Sequence, residues 1–309
     1  MTSPPGIAIV ATGGYAPDAQ AMSCAIDELR ERGHLVRNYY DAEHRYQRFG
    51  GTDDARLAQL HDAARDPDIA IVMALRGGYG TSRLLGKIDF DLLASSGKLF
   101  VGHSDFTALQ LGLLARTGGQ SIAGPMICDD FTRADRSGYT MDQFWACIAQ
   151  PHHHIDWECK GNPDVALEGT LWGGNLTMLA SLVGTPYLPR ISDGLLFLED
   201  VNEHPYRIER MLLQLLHAGI LERQQAVILG DLGTFRLTEY ENGYGFGSML
   251  TWIRQNLPLP VISGLPVGHI RDKATLAIGA DASLEVANSR ARLLMKDYLA
   301  LSSGNVPAA

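Results

Sequence analysis

Clustered lysine and arginine are missing from this chain, and its 26 basic residues are outnumbered by 35 acidic ones, for a net charge of −9. Nucleic acid and anionic membranes are held largely by clustered basic side chains, so neither is expected as a main partner. A small anionic ligand needs only a few placed arginines and stays open. The cysteines are few, Cys24, Cys128, Cys147 and Cys159. They make no CxxC pair and no dense framework, which argues against a disulfide scaffold and for a reducing compartment. No apolar run is long enough to span a bilayer. The first residues, Met1-Thr2-Ser3-Pro4-Pro5, pass straight into a short apolar strand, without the charged, apolar and small-residue regions of a signal peptide. The expectation is a cytoplasmic protein. Also lacking are His-Glu-x-x-His, a Gly-Lys-Ser/Thr ending to the glycine-rich loop, the dinucleotide spacing Gly-x-Gly-x-x-Gly, internal repeats and sustained heptads. The triple histidine His152-His153-His154, with Cys159 nearby, reads as solvated linker rather than as a zinc site.

What is present is ordinary globular composition, with 46% hydrophobic and 20% charged residues. At 309 residues the chain exceeds the size at which one core usually stops growing, so two domains are expected. In the first half, apolar strands at 6–12, 69–75 and 98–102 alternate with helical patterns at 19–32, 53–64 and 105–116. Thr52 or Asp53 is placed to cap the second helix, and Gly33 to stop the first. That alternation predicts an α/β fold, with an N-terminal parallel-sheet domain carrying helices on both faces. The pattern breaks between about 133 and 164. Beyond it come a strand at 194–198, a helix at 205–218, a strand at 226–230 and several short strands after Val261. These predict a smaller, mixed α/β C-terminal domain. The division read from the sequence is 1–135, a linker at 136–164, and 165–309.

Chemistry gathers at a few turns. Ser104, in Gly102-His103-Ser104-Asp105, follows an apolar strand directly and precedes a helix. A serine so placed projects its hydroxyl beyond the sheet, although only half of Gly-x-Ser-x-Gly is present, and a plain helix cap is the competing reading. The loop Arg76-Gly77-Gly78-Tyr79-Gly80-Thr81-Ser82-Arg83 also follows a strand. Its glycines let backbone approach a ligand, and Arg76 and Arg83 could hold a carboxylate; a tight structural turn is the alternative. Glu199 ends an apolar strand, where side chains of α/β proteins face a crevice, or else it joins Asp200 and Glu203 in a solvated acidic turn. His269 lies in a glycine-flanked turn, but spacing does not choose it over His103 or His204.

Taken in order, these segments resemble the LD-carboxypeptidase family of serine peptidases, and more closely its muramoyltetrapeptide carboxypeptidase branch. The resemblance runs through Arg76-Gly77-Gly78-Tyr79-Gly80 and Gly102-His103-Ser104-Asp105-Phe106-Thr107-Ala108 to Gly124-Pro125. It continues through Gly169-Thr170-Leu171-Trp172-Gly173-Gly174-Asn175, Leu198-Glu199-Asp200, Glu203 to Met211, and Gly268-His269. His103 stands before the serine, as in that branch, where many other members carry tyrosine. The resemblance implies a triad of Ser104, His269 and Glu199, and an oxyanion hole from the N–H groups of Gly78 and Asp105. It also implies an active site between the domains, no metal or organic cofactor, and a homodimer. The implied substrate is a small muropeptide, cut before its terminal D-Ala, with Arg76, Arg83 or Arg207 holding carboxylates and Tyr79 and Trp172 available for contact. Two other readings remain: an amidase of the same family acting on a nucleotide-peptide antibiotic, for which Trp172 or Tyr79 would stack on adenine, and a non-catalytic binding protein.

Overall fold

The structure, a computed structural model, describes residues 4–233 and 235–301. The first half runs β1 (Ile7–Val10), α1 (Ala19–Glu31), β2 (Val36–Asn38), α2 (Asp53–Arg65), β3 (Ile71–Ala74), α3 (Phe90–Ser95), β4 (Leu99–Gly102), α4 (Thr107–Thr117) and β5 (Ser121–Ala123). There follow α5 (Gly138–Ala149), β6 (His152–Glu158), β7 (Val165–Asn175), α6 (Leu176–Ser181), β8 (Gly194–Glu199), α7 (Pro205–His217), β9 (Gln224–Leu229) and α8 (Phe246–Asn256). The chain closes with β10 (Val261–Ser263), β11 (Leu276–Ile278), β12 (Asp281–Ala287) and β13 (Arg290–Lys296).

Two sheets result. The first has the order β11-β5-β4-β3-β1-β2, parallel throughout except that β11 runs antiparallel to β5. Every residue of β1, β3 and β4 is buried, as expected for parallel strands covered by helices on both faces. The chain leaves β1 toward β2 on one side and continues through β3, β4 and β5 on the other. A crevice therefore opens at the C-terminal ends of β1 and β3, the place where such sheets bind ligands. The second sheet has the order β10-β9-β8-β7-β12-β13-β6. Its first four strands are parallel and the rest antiparallel.

The segment read as a linker at 136–164 is instead built into the fold. Ser137 caps α5 by accepting from Thr140 N at 3.1 Å, and Phe144, Trp145, Cys147 and Ile148 pack inward. Strand β6 forms the outer edge of the second sheet, paired with β13. Its polar appearance comes from alternation: Ile155 and Trp157 are buried while His154, Asp156 and Glu158 face solvent. The division into parts is also less clean than the sequence suggests, because β11 returns from the C-terminal half to complete the first sheet. Close packing joins the sheets beneath the crevice. A Cβ on Gly174, at the end of β7, would lie 2.7 Å from the Thr107 side chain, and Asn175 N donates to Thr107 Oγ1 at 3.1 Å.

Candidate active site

Strand β4 ends at Gly102, where a side chain would strike Phe106 and Ala74 at under 3 Å. The chain then turns within two residues into a single 3-10 turn, Ser104–Phe106, that feeds α4. Ser104 adopts φ of +61°, a left-handed conformation that a non-glycine residue holds only when its surroundings impose it. Its side chain caps no helix. Instead Ser104 Oγ donates to His269 Nε2 at 3.1 Å, and His269 Nδ1 donates to Glu199 Oε2 at 2.8 Å. A carboxylate can only accept, so the ring proton sits on Nδ1 and the Nε2 lone pair faces the serine. Glu199 comes from the last position of β8 and Ser104 from the end of β4, so the three groups meet between the two sheets.

The environments of these groups differ. Glu199 is 3% exposed, whereas Ser104 is only partly buried and open to the crevice. Burial disfavours the charged form of His269, but the hydrogen bond and charge of Glu199 outweigh it and hold the ring above its ordinary pKa. Lys273 opposes that rise and Asp200 adds to it. His103 meets His269 edge to face, with centroids 5.3 Å apart. Burial first, and the charges of Lys273 and His269 next, push His103 well below the usual histidine range, so this ring is neutral. His204, the third histidine left open by spacing, lies instead against Glu241 and Tyr206.

The glycine-rich loop is tied to the serine turn. Asp105 Oδ2, in a carboxylate 2% exposed, accepts from Thr81 N at 2.9 Å and from Thr81 Oγ1 at 2.7 Å. Gly77 touches the serine turn so closely that an added Cβ would lie 2.7 Å from both Ser104 Cβ and Oγ. Gly78 has φ of +104°, and its N–H donates to no described residue. Gly77→Ala is expected to displace the Ser104 hydroxyl and lower kcat by roughly 100-fold, the scale of a misplaced reacting group, with the protein still folded by circular dichroism. An unchanged kcat would mean that the loop yields without moving Ser104.

Of the proposed substrate contacts, the structure separates those that are free from those that are engaged. Arg83 Nε donates to Asp53 Oδ2 at 3.0 Å, and its guanidinium covers the Phe49 ring. Arg207 lies on α7 beside Glu203 at 3.4 Å. Arg76 is half-buried at the mouth of β3, where its Nη1 donates to the Tyr15 carbonyl at 3.4 Å and, among the described residues, no carboxylate pairs with it. Tyr79 is exposed on the loop, with Arg48 over its ring. Trp172 corrects the sequence reading: it is fully buried in the middle of β7, and its Nε1 donates to Gln224 Oε1 at 2.8 Å. It cannot stack on a ligand, because this half of β7 is buried on both faces.

Sequence reasoning missed the polar layer under the site. Lys273 Nζ donates to Asp130 Oδ1 at 2.8 Å, and both side chains are 5% exposed or less. Asp200 accepts from Asn175 Nδ2, from Thr177 N and Oγ1 and from Val201 N, which binds the start of α6 to the end of β8. Nothing in Asp272-Lys273 or Asp129-Asp130 marks these charges as buried; local sequence shows ordinary polar turns. Among the described residues, no group of three His, Cys, Asp or Glu side chains is placed to hold a metal ion, the His152-His153-His154 run included.

Comparison with known proteins gives the family. Residues 7–124 match the LD-carboxypeptidase N-terminal domain and residues 168–284 the LD-carboxypeptidase C-terminal domain. The crystal structure of muramoyltetrapeptide carboxypeptidase from Oxalobacter formigenes superposes with a TM-score of 0.91 at 52% identity, covering 95% of this chain and 99% of that one. The probable murein peptide carboxypeptidase of Bacillus subtilis is 30% identical, over 89% of this chain and 87% of its own. The murein tetrapeptide carboxypeptidase of Pseudomonas aeruginosa is 33% identical, over 82% and 83%. With both domain matches in order and a serine, a histidine and a carboxylate hydrogen-bonded in series between them, this chain belongs to the LD-carboxypeptidase family and is a hydrolase.

Proposed function

We propose that the protein is a serine LD-carboxypeptidase that removes the terminal D-Ala from muramoyl-tetrapeptides, in the cytoplasm, as a step of peptidoglycan recycling. The observation that carries this reading is the hydrogen-bonded series Ser104 Oγ, His269, Glu199, at 3.1 and 2.8 Å. As Ser104 Oγ attacks the carbonyl carbon before D-Ala, its proton passes to His269 Nε2, and Glu199 stabilises the imidazolium that forms. The carbonyl oxygen takes up the negative charge, and the N–H groups of Gly78 and Asp105 receive it, at about 3–4 kcal/mol per donor. His269 then returns the proton to the departing D-Ala nitrogen. Water, deprotonated by the same ring, releases the tripeptide from Ser104. Arg76, the arginine at the crevice that pairs with no described carboxylate, is assigned to the D-Ala carboxylate. The names of the relatives supply the substrate class. The four unpaired cysteines favour a reducing compartment, and the homodimer implied by the family resemblance is checked by light scattering.

The test is mass spectrometry of a muramoyl-tetrapeptide incubated with the protein in EDTA, beside a stem peptide ending in L-Ala. Loss of one D-Ala from the first alone supports the proposal; an intact tetrapeptide overturns it. Arg76→Met is expected to raise KM by about tenfold or more, since a charge-assisted pair is worth about 1.5–3 kcal/mol. An unaltered KM assigns the carboxylate elsewhere. The pH profile follows from His269. The ring must be neutral to accept the serine proton, and Glu199 holds its pKa above the ordinary value. The kcat/KM of the wild type should therefore fall as pH drops through that raised pKa, and an acid limb below the usual histidine range would contradict the assignment.

A further inference from the structure

Glu199 uses only one of its carboxylate oxygens on the triad. Oε2 accepts from His269, while Oε1 is buried with no hydrogen bond from any described residue. A buried carboxylate oxygen without a donor is costly, and is rare unless water supplies the bond. Beside it lies a small cavity of about 20 Å³, enough for one water, lined among others by His103, Thr107, Gly124, Glu199, Gly268 and Lys273.

Two of those residues complete a set of partners. His103 Nδ1 donates to the Gly124 carbonyl at 2.9 Å, which leaves a lone pair on Nε2 of a neutral ring. Lys273 carries three ammonium hydrogens and directs one to Asp130 Oδ1 at 2.8 Å. Asp130 is anchored in turn, its Oδ2 accepting from Met126 N at 2.9 Å. One water has two hydrogens to give and lone pairs to accept with. The chemistry around the cavity is two acceptors, Glu199 Oε1 and His103 Nε2, and one ammonium donor.

We propose that this cavity is the site of one ordered water that accepts from Lys273 Nζ and donates to Glu199 Oε1 and His103 Nε2, making His103 and Lys273 positioning residues for the catalytic carboxylate. The inference rests on the triad reading above. The water holds the Glu199 carboxylate in one plane, so that Oε2 stays aimed at His269 Nδ1 while charge builds on the ring. Lys273 brings a cation to the back of the triad, and Asp130 balances it. The groups facing His269 are then Ser104 from the β4 turn, Glu199 at the end of β8 and Asp200 just after it, His103 at its edge, and Lys273 from its own segment. Asp231 backs Gly268, a Cβ on which would lie 3.2 Å from Asp231 Cβ. Lys273 is the one cation among them, and it opposes protonation of His269.

The direct test is a crystal structure of the full chain at a resolution that orders internal waters. Density in the cavity within hydrogen-bond distance of Glu199 Oε1, Lys273 Nζ and His103 Nε2 is expected, and an empty or apolar-filled cavity overturns the proposal. The kinetic test uses Asp130→Asn/Lys273→Met, which removes the pair together and leaves no buried charge unmatched, and His103→Phe, which keeps a ring but no acceptor. Both are expected to lower kcat about tenfold at unchanged KM, the result of a carboxylate that is less well held. The double variant should also move the acid limb of kcat/KM to higher pH, because the cation opposing the His269 proton is gone. A purely structural role would lower thermal stability without moving that limb, and this outcome rejects the positioning role. Ser104→Ala is run in parallel: retained turnover in that variant would reject the triad reading itself, separately from the water.

Discussion

Ser104→Ala is expected to abolish release of D-Ala, lowering kcat by about 10⁴-fold or more, while muropeptide binding persists within a few-fold. The hydroxyl is the only atom removed, and it is the group that donates to His269 Nε2. The turn that carries it is held by other means. Gly102 and Gly77 pack against it without side chains, and Asp105 ties it to Thr81. The alanine variant should therefore fold as the wild type does, and isothermal titration with the tetrapeptide should report near-normal affinity. Turnover close to wild type would leave the chain as a binding protein on a hydrolase scaffold and assign the histidine and glutamate to structure.

Glu199→Gln has the second largest expected effect, a fall in kcat of about 10³- to 10⁴-fold with little change in KM. The replacement is nearly isosteric, so packing at the end of β8 survives. The loss is one of proton placement. A glutamine amide can turn its N–H toward His269 Nδ1, which moves the ring proton to Nε2 and leaves nothing to accept from Ser104. Without the glutamate charge the imidazolium also loses its stabilising partner, and the ring's pKa falls, since that charge and hydrogen bond are what raise it. Single-turnover measurements, which isolate acylation, should already show the defect, and release of the tripeptide should slow as well because the same ring activates the water. A variant with normal rates in both steps would place Glu199 outside the proton transfer.

How far these features could be read from the residues varies along the chain. Strands β1, β3, β4 and β8 are short apolar runs ending in glycine or acid, and helices α1 and α7 carry periodic apolar faces, so local pattern matched local structure there. Helix α2 instead buries Arg56 and Gln59 beside Leu60, Ala63 and Ala64. Thr52 caps α2 by accepting from Ala55 N at 3.2 Å, one of the two residues expected there. The antiparallel part was harder. In β6, β12 and β13 alternate residues face water, and short alternation with His, Asp and Arg outside resembles a polar linker. Within the site, glycine-marked turns made Ser104, Gly78 and His269 visible as candidates, but spacing alone could not pair a serine with a histidine 165 residues away. Trp172 shows the opposite failure: the family resemblance offered it as a ligand contact, while the second half of β7 lies wholly in the core. The charges of Lys273, Asp130 and Asp105 look solvated in sequence, because only the assembled sheets take them out of water.

Strand β11 gives this architecture a temporal consequence. Its partner β5 is finished by Ala123, yet Ile278 pairs with Ser121, so the edge of the first sheet waits for more than half the chain to be synthesised. Until then β5 offers unpaired backbone groups that invite a wrong partner. The segment that finally covers them also carries His269 and Lys273 into the crevice. The nascent protein thus acquires its last structural edge and the histidine that faces Ser104 in one late event, and a ribosome stalled short of residue 269 holds a serine turn without that partner.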